Sequence, residues 1–415
     1  MDRPADRIRA WAAAAGDAAL LAEAAEADPS RVASVARLRR GRTPEAVAAA
    51  LDLVAARRRA ASKFGAAAAT LLADAEGVEQ ASSPAVAAAK AERFRAATRP
   101  GGPPALDLGC GVGGDLTALA AAGVPALGVD ADPLRAWMAA RNAGVPAAAA
   151  RIEDLHPGAT RGRLVHLDPA RRAGGRRTRG LDAMLPGPAV VRAALAAAAG
   201  GCVKLSPGLD RGEAMTLVGH ENPGSPGSPG SPGSPGAPAE LGFVSESRGG
   251  RSTLVQALLW VGRLAGPDPR SATLVHPGGV LFRSGRASAG LGVAGVGRLL
   301  LVPDPALERA QLLGTLGLPE LAPGLGVLTA DAAPPPADAA WLTAFGVLEA
   351  LPFRPAKLRA WLHARDAGEV TVKTRGRACD PDPLSRHLGG RGSTPYTVFV
   401  LRLGRSVRAV VCTRA

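Results

Sequence analysis

The sequence predicts an α/β protein built on a doubly wound parallel sheet, with an all-helical domain before it and a small α/β domain after it. Three observations carry this expectation. Residues 1–98 are rich in Ala, Leu, Arg and Glu, with apolar positions at helical spacing and no strand-like alternation. From 99 to 265, short apolar runs alternate with helical stretches, as parallel strands joined by crossover helices require. From 296 to 415 the two patterns alternate again on a smaller scale.

Composition sets the limits. A chain of 415 residues with 47% hydrophobic content can bury two or three cores. No uncharged apolar run reaches the roughly 18 residues of a membrane span, and Met1-Asp2-Arg3-Pro4 does not open a signal peptide, so a cytoplasmic protein with no membrane partner is expected. The four cysteines Cys110, Cys202, Cys379 and Cys412 form no C-x-x-C pair and have few histidines near them; free thiols and no metal follow. The formal net charge of +14 invites a nucleic-acid partner. It rests on arginine, with only five lysines, which is also the bias a GC-rich genome imposes. Aromatics make up 3%, with Tyr396 the one tyrosine, so platforms for stacking bases are scarce.

In the helical domain, Asp28-Pro29-Ser30 and Gly41-Arg42-Thr43-Pro44-Glu45 break one helix from the next, with Thr43 suited to the N-cap and Pro44 to the first helical position. Arg57, Arg58, Arg59 and Lys63 share one helix and form either a solvated face or a basic stripe facing substrate.

The next segment carries the chemistry. An apolar run, 105–108, feeds a turn containing Gly109, Gly111, Gly113 and Gly114; the turn opens a helix, and a second apolar run ends at Asp130. Glycine lets such a turn take positive φ and lets a ligand lie against the amides at the helix N-terminus. This is the outline of a nucleoside-cofactor site. The spacing is not the dinucleotide G-x-G-x-x-G. With Asp107 before it, the loop resembles the D-x-G-x-G-x-G loop of class I S-adenosylmethionine (SAM)-dependent methyltransferases, whose sheet is Rossmann-like.

By that resemblance the backbone of Gly109, Gly111 and Gly113 cradles the methionine end of SAM, Asp107 supports the amino group or the loop, and Asp130 accepts the ribose hydroxyls. The adenine contact departs from the family pattern, since Arg151 stands where an acid is common. Asp154 or Glu153 then substitutes, with Ile152 packed on the ring.

A third apolar run, 164–167, ends in Asp168-Pro169-Ala170-Arg171-Arg172. In methyltransferases the motif after the fourth strand faces the methyl group. Asp168 is accordingly the catalytic candidate, its carboxylate hydrogen-bonding the acceptor N–H or O–H, with Pro169 rigidifying the turn; the alternative is a turn acid that merely ends a strand. No aromatic follows to clamp a base. Arg171 could stack through its guanidinium plane or grip a phosphate, and with Arg172, Arg176, Arg177 and Arg179 it forms either an anion-binding lip or a solvated basic loop. A fifth strand is expected around Gly201-Cys202-Val203-Lys204-Leu205, followed by the turn Ser206-Pro207-Gly208.

Residues 222–238 repeat Gly-Ser-Pro with a period of three. Five such triplets cannot sustain a collagen helix, so a flexible insertion within the domain is expected. Runs at 241–247 and 253–260 flank Arg248-Gly249-Gly250-Arg251 and read as a hairpin. The tail then offers strands at 298–302, 345–351, 369–374, 397–402 and 407–413, with helices at 305–316, 355–367 and 382–388. Together with Lys63-Phe64-Gly65 and Gly77-Val78-Glu79-Gln80-Ala81, this tail resembles that of actinobacterial methyltransferases carrying a C-terminal THUMP-like domain. The family shows an acid before Pro-Asp at the start of the tail; here Val302 precedes Pro303-Asp304. The resemblance implies a SAM-dependent methyltransferase, and with the basic charge it favours RNA (tRNA or rRNA) as acceptor; a small-molecule or protein methyltransferase, favoured by the lack of stacking aromatics, and a non-catalytic SAM-binding protein remain open.

Overall fold

A computed structural model describes residues 3–171, 180–219 and 238–414. The Gly-Ser-Pro repeat, except for its last residue, and Arg172, Arg176, Arg177 and Arg179 lie outside the described residues. Two compact units are present: Met1–Val244 with Val255–Pro269, and Ser245–Leu254 with Arg270–Ala415.

The first unit opens with helices α1 (Pro4–Gly16), α2 (Ala18–Glu26), α3 (Val32–Leu38), α4 (Pro44–Phe64), α5 (Ala75–Gln80) and α6 (Pro84–Ala97). Thr43 caps α4, its hydroxyl accepting the Ala46 N–H at 3.3 Å, and Pro44 fills the first turn. Three of the four cations on α4 tie the helices together: Arg57 donates to the Leu71 carbonyl at 3.1 Å, Arg58 to that of Ala25, and Lys63 to that of Val78 at 2.9 Å. Trp11, Leu20, Leu38 and Leu53 form a buried core that also takes in Val112, Leu134 and Met138. The helical segment therefore shares one apolar interior with the glycine turn and with the helix Pro133–Ala143, and through it is held against the glycine loop.

The sheet strands are β1 (Ala105–Leu108), β2 (Ala126–Asp130), β3 (Ala147–Ala149) and β4 (Leu164–Leu167), with a short β5 (Ala170–Arg171) and β6 (Met184–Leu185) beside them, then β7 (Gly200–Leu205), β8 (Ala239–Arg248) and β9 (Arg251–Gly262). Helices α7 (Gly114–Ala121), α8 (Pro133–Ala143), α9 (Pro188–Ala197) and α10 (Arg211–Met215) connect them. Strand order runs β8-β9-β7-β4-β1-β2-β3. β7, β4, β1, β2 and β3 are parallel and β9 joins β7 antiparallel. β1 and β4 are buried at every residue, as a sheet covered on both faces demands. From β1 the chain first builds outward through β2 and β3, then returns to place β4 on β1's other side. That reversal opens a crevice beyond the carboxyl ends of β1 and β4.

After Ser245–Leu254 the second unit continues with a hairpin, β10 (Arg270–His276) and β11 (Gly279–Gly285), that the sequence reading does not include; Pro277-Gly278 supplies its turn. A six-stranded sheet follows, built from β12 (Leu299–Pro303), β13 (Leu328–Ala330), β14 (Leu342–Pro352), β15 (Ala367–Arg375), β16 (Thr394–Leu403) and β17 (Ser406–Arg414) in the order β13-β12-β14-β17-β16-β15. Its helices are α11 (Pro305–Arg309), α12 (Pro336–Ala339), α13 (Pro355–His363) and α14 (Pro381–Leu388). Val398 and Val400 face α13 and α14, while Phe399 and Leu401 pack on Leu300 and Phe345, so β16 is buried on both faces. The helix expected at 305–316 stops at Arg309 because Gln311 takes φ +58°, and the one expected at 355–367 stops at His363 because Asp366 takes φ +56° before β15 begins. Asp304 caps α11 through the Ala306 N–H at 2.8 Å.

Candidate active site

The crevice is a cleft of about 750 Å³ lined by Asp107, Gly109, Gly111, Asp130, Ile152, Glu153, Asp168, Pro169 and Lys204, among others. β1, β2 and β4 thus bring together most of the residues singled out in the sequence. Gly113 and Asp154 are not among the lining residues. Arg171 contributes backbone to β5, opposite Met184. Arg172, Arg176 and Arg177 fall outside the described residues.

Two glycines are required by contact. Gly109 has φ +79°, and a Cβ there would sit 2.6 Å from the Asp168 carbonyl oxygen, so the loops after β1 and β4 can approach only because position 109 has no side chain. Gly113 has φ +85°, and a Cβ there would meet the Ala139 Cα at 2.8 Å; its absence lets α7 lie close to α8. Asp130 organises the loop. Its Oδ2 accepts the Gly111 N–H at 2.8 Å and its Oδ1 the Asp132 N–H at 2.9 Å, leaving each oxygen capacity for one further donor.

Asp107 is fully buried. Its Oδ1 lies 2.7 Å from His166 Nδ1, and its Oδ2 has no hydrogen-bond partner among the described residues. Burial pushes this carboxyl above the usual range, against the opposing influence of His166. Beneath it, Lys90 pairs with Asp115 at 2.6 Å. Burial alone would raise the Asp115 pKa, but Lys90, His166 and Lys204 together outweigh it and hold the group below its ordinary value. Burial pushes the thiols of Cys110 and Cys202 up, which disfavours their thiolate forms.

Lys204 is the site residue to which the sequence reading assigns no role. At the end of β7 its ammonium donates to Asp168 Oδ2 at 2.7 Å and to the Gln80 carbonyl at 3.0 Å. Burial would lower its pKa, but Asp168 and Asp115 more than compensate, and the lysine stays charged. Glu79, Gln80, Ala81 and Ser82, from the helical segment, form one wall of the cleft. Periodicity marks Lys204 only as a polar residue in an apolar strand, which is the one sequence signal that could have found it.

Two uncharacterized S-adenosylmethionine-dependent methyltransferases of Mycobacterium tuberculosis, from strains CDC 1551 / Oshkosh and H37Rv, are each 33% identical over 353 residues, covering 81% of this chain and 87% of the relative. The chain belongs to this family of SAM-dependent methyltransferases. Residues 342–414 of the methyltransferase match the family model described as THUMP domain-like. In fold it is similar to a crystal structure from Porphyromonas gingivalis W83 provisionally described as a methyltransferase, with a TM-score of 0.68 at 17% identity, covering 99% of this chain and 97% of that one.

The cofactor is therefore SAM, and the residues present suit it. A buried carboxylate oxygen without a partner, a positive-φ glycine loop and a cleft edged by acids match a ligand that carries an ammonium, a sulfonium and two ribose hydroxyls. No cluster of metal ligands occurs among the described residues, and none of their helices is long and apolar enough to cross a membrane.

Proposed function

We propose that this methyltransferase modifies RNA in the cytoplasm, with the cleft at the β1/β4 crevice as its active site and the helical segment and the tail as substrate-gripping modules. The observation that carries the RNA reading is the THUMP-like tail together with the cations it gathers. Arg414 donates to the carbonyl of Gly250, next to Arg251, and pairs in register with Phe345, whose ring lies 5.7 Å from the Lys373 ammonium. Burial, followed by the charges of Arg251, Arg375 and Arg414, pushes the Lys373 pKa down. Such mutual repulsion is relieved by a polyanion, and phosphate neutralisation of this kind supplies most sequence-independent nucleic-acid affinity.

When bound, SAM supplies a methyl group already activated on sulfonium, so the chain's work is positioning. In this reading Gly109, Gly111 and Gly113 cradle the methionine end, Asp107 receives its ammonium, Asp130 accepts from the ribose, and Ile152 and Glu153 meet the adenine; Asp154 is left to the turn. Asp168 presents Oδ1 to the acceptor N–H or O–H while Lys204 occupies Oδ2. Pro169 stiffens the turn, and the guanidinium of Arg171, with Arg172, Arg176 and Arg177, grips substrate phosphate.

The test is incubation of the purified chain with methyl-labelled SAM and size-fractionated cellular RNA. Label in RNA that disappears in Asp168→Ala supports the proposal. Label confined to metabolites or protein, the outcome favoured by the missing base-stacking aromatic after Asp168, would replace RNA with another acceptor.

A further inference from the structure

Asp107 and His166 stand side by side on β1 and β4, paired in register at the heart of the sheet. The far side of the imidazole meets Lys90, whose ammonium lies 3.5 Å from Nε2, 3.0 Å from the Ser82 hydroxyl and 2.6 Å from Asp115 Oδ1. Both Lys90 and His166 are almost completely buried. An ammonium has three protons and no lone pair. The lysine can therefore meet Nε2 only as a donor, so Nε2 is an acceptor and the single proton of the ring sits on Nδ1, directed at Asp107 Oδ1. The tautomer is thus dictated by a lysine on α6, in the helical segment, reaching through the packed interior to the back of the cleft.

We infer that Lys90 and His166 are positioning residues of the SAM site, holding Asp107 by one oxygen through a neutral donor so that its second oxygen is left for the ammonium of the ligand. This rests on reading the cleft as the SAM site. The physical reason is charge balance. An imidazolium beside Asp107 would neutralise the buried carboxylate internally and leave little attraction for an incoming cation. A neutral N–H orients the carboxylate without cancelling its charge. The charged and titratable groups around Asp107 are His166 from β4, Lys90 from α6, Asp115 from α7, Lys204 from β7, which itself pairs with Asp168, and Cys110 in the loop. Lys90 and Asp115 pair with each other, so the imbalance stays on Asp107.

Two measurements test this. Long-range proton–nitrogen NMR of the full-length chain labelled on histidine, recorded at pH 7.5, reads the His166 tautomer directly. The Nδ1–H form is expected; the Nε2–H form or an imidazolium would overturn the inference without any variant having to fold. Calorimetry then compares SAM, S-adenosylhomocysteine and 5′-methylthioadenosine, which lacks the amino-acid portion. His166→Leu is expected to weaken the first two by roughly tenfold or more while leaving the third within about twofold, and His166→Asn, whose amide can replace the donor, to stay close to wild type. Equal losses for all three ligands, or no loss for any, would overturn it. A wild-type chain that binds none of them would instead remove the assignment of the cleft itself, and the positioning role with it.

Discussion

Lys204 holds Asp168 Oδ2 at 2.7 Å and, through the same nitrogen, the Gln80 carbonyl at 3.0 Å. One ammonium therefore joins the ends of β4 and β7 to the wall supplied by the helical segment, and leaves one oxygen of Asp168 facing the cleft. Protonating Asp168 would strand that ammonium. The carboxylate is suited to orienting an acceptor N–H or O–H. Lys204→Met is expected to lower methyl transfer roughly 100-fold while leaving SAM affinity within about threefold, because in the proposed reading the lysine orients Asp168 on the acceptor side. Calorimetry alongside transfer assays checks the split; parallel loss of both would show that Lys204 supports the whole cleft.

Gly109→Ala places a methyl group 2.6 Å from the Asp168 carbonyl oxygen at a φ of +79°. Neither loop can yield without breaking the sheet bonds that carry it, such as the 3.0 Å bond from the Asp168 N–H to the Leu108 carbonyl. Loss of SAM binding is expected, with destabilisation of about 1–3 kcal/mol. A thermal melt and a SAM titration of the variant measure the two effects.

The Lys90–Asp115 pair is a stability element with a defined pH signature. Removing one partner of a buried pair typically costs about 3–5 kcal/mol, so Lys90→Met should unfold at markedly lower urea. Asp115 has a folded pKa below its ordinary 3.8, and its contribution is therefore complete above that pH and lost as pH falls further. The stability difference between wild type and Asp115→Asn should be constant from pH 7 down to the unfolded pKa and shrink below it. Urea midpoints across that range decide the matter.

Thiol reactivity should follow burial. Cys110, Cys202 and Cys412 are buried, and burial pushes the Cys412 thiol up to about 12, whereas Cys379 is partly exposed. A thiol reagent should titrate Cys379 in the native chain and reach the other three only in denaturant. Fast native reaction of Cys412 would contradict the buried sheet face that holds it.

Removal of positive charge from the tail should weaken polyanion binding and leave SAM untouched. Lys373→Gln with Arg414→Gln is expected to reduce affinity for bulk RNA several-fold and to flatten its dependence on salt by about two counterions. Filter binding at several salt concentrations provides the slope.

Local rules are strong where one backbone need meets one residue type, and these parts of the chain were legible without coordinates. Asp107, the glycines of the turn and Asp130 declare a strand, a bend of positive φ and a second strand, and Thr43 with Pro44 declares a helix start. The hairpin at 270–285 was legible in principle, since Pro277-Gly278 divides two apolar runs. The early ends of two tail helices were not, because Gln311 and Asp366 adopt left-handed φ, which the helical spacing of the apolar positions does not announce. Folding alone decides which distant side chains become neighbours. Lys90, His166 and Lys204 are ordinary residues in a helix and two strands; they acquire meaning when crossover connections set β4 between β1 and β7 and lay α6 across the sheet. Burial then strips water from their charges, and only the partners that the sheet order supplies can satisfy them.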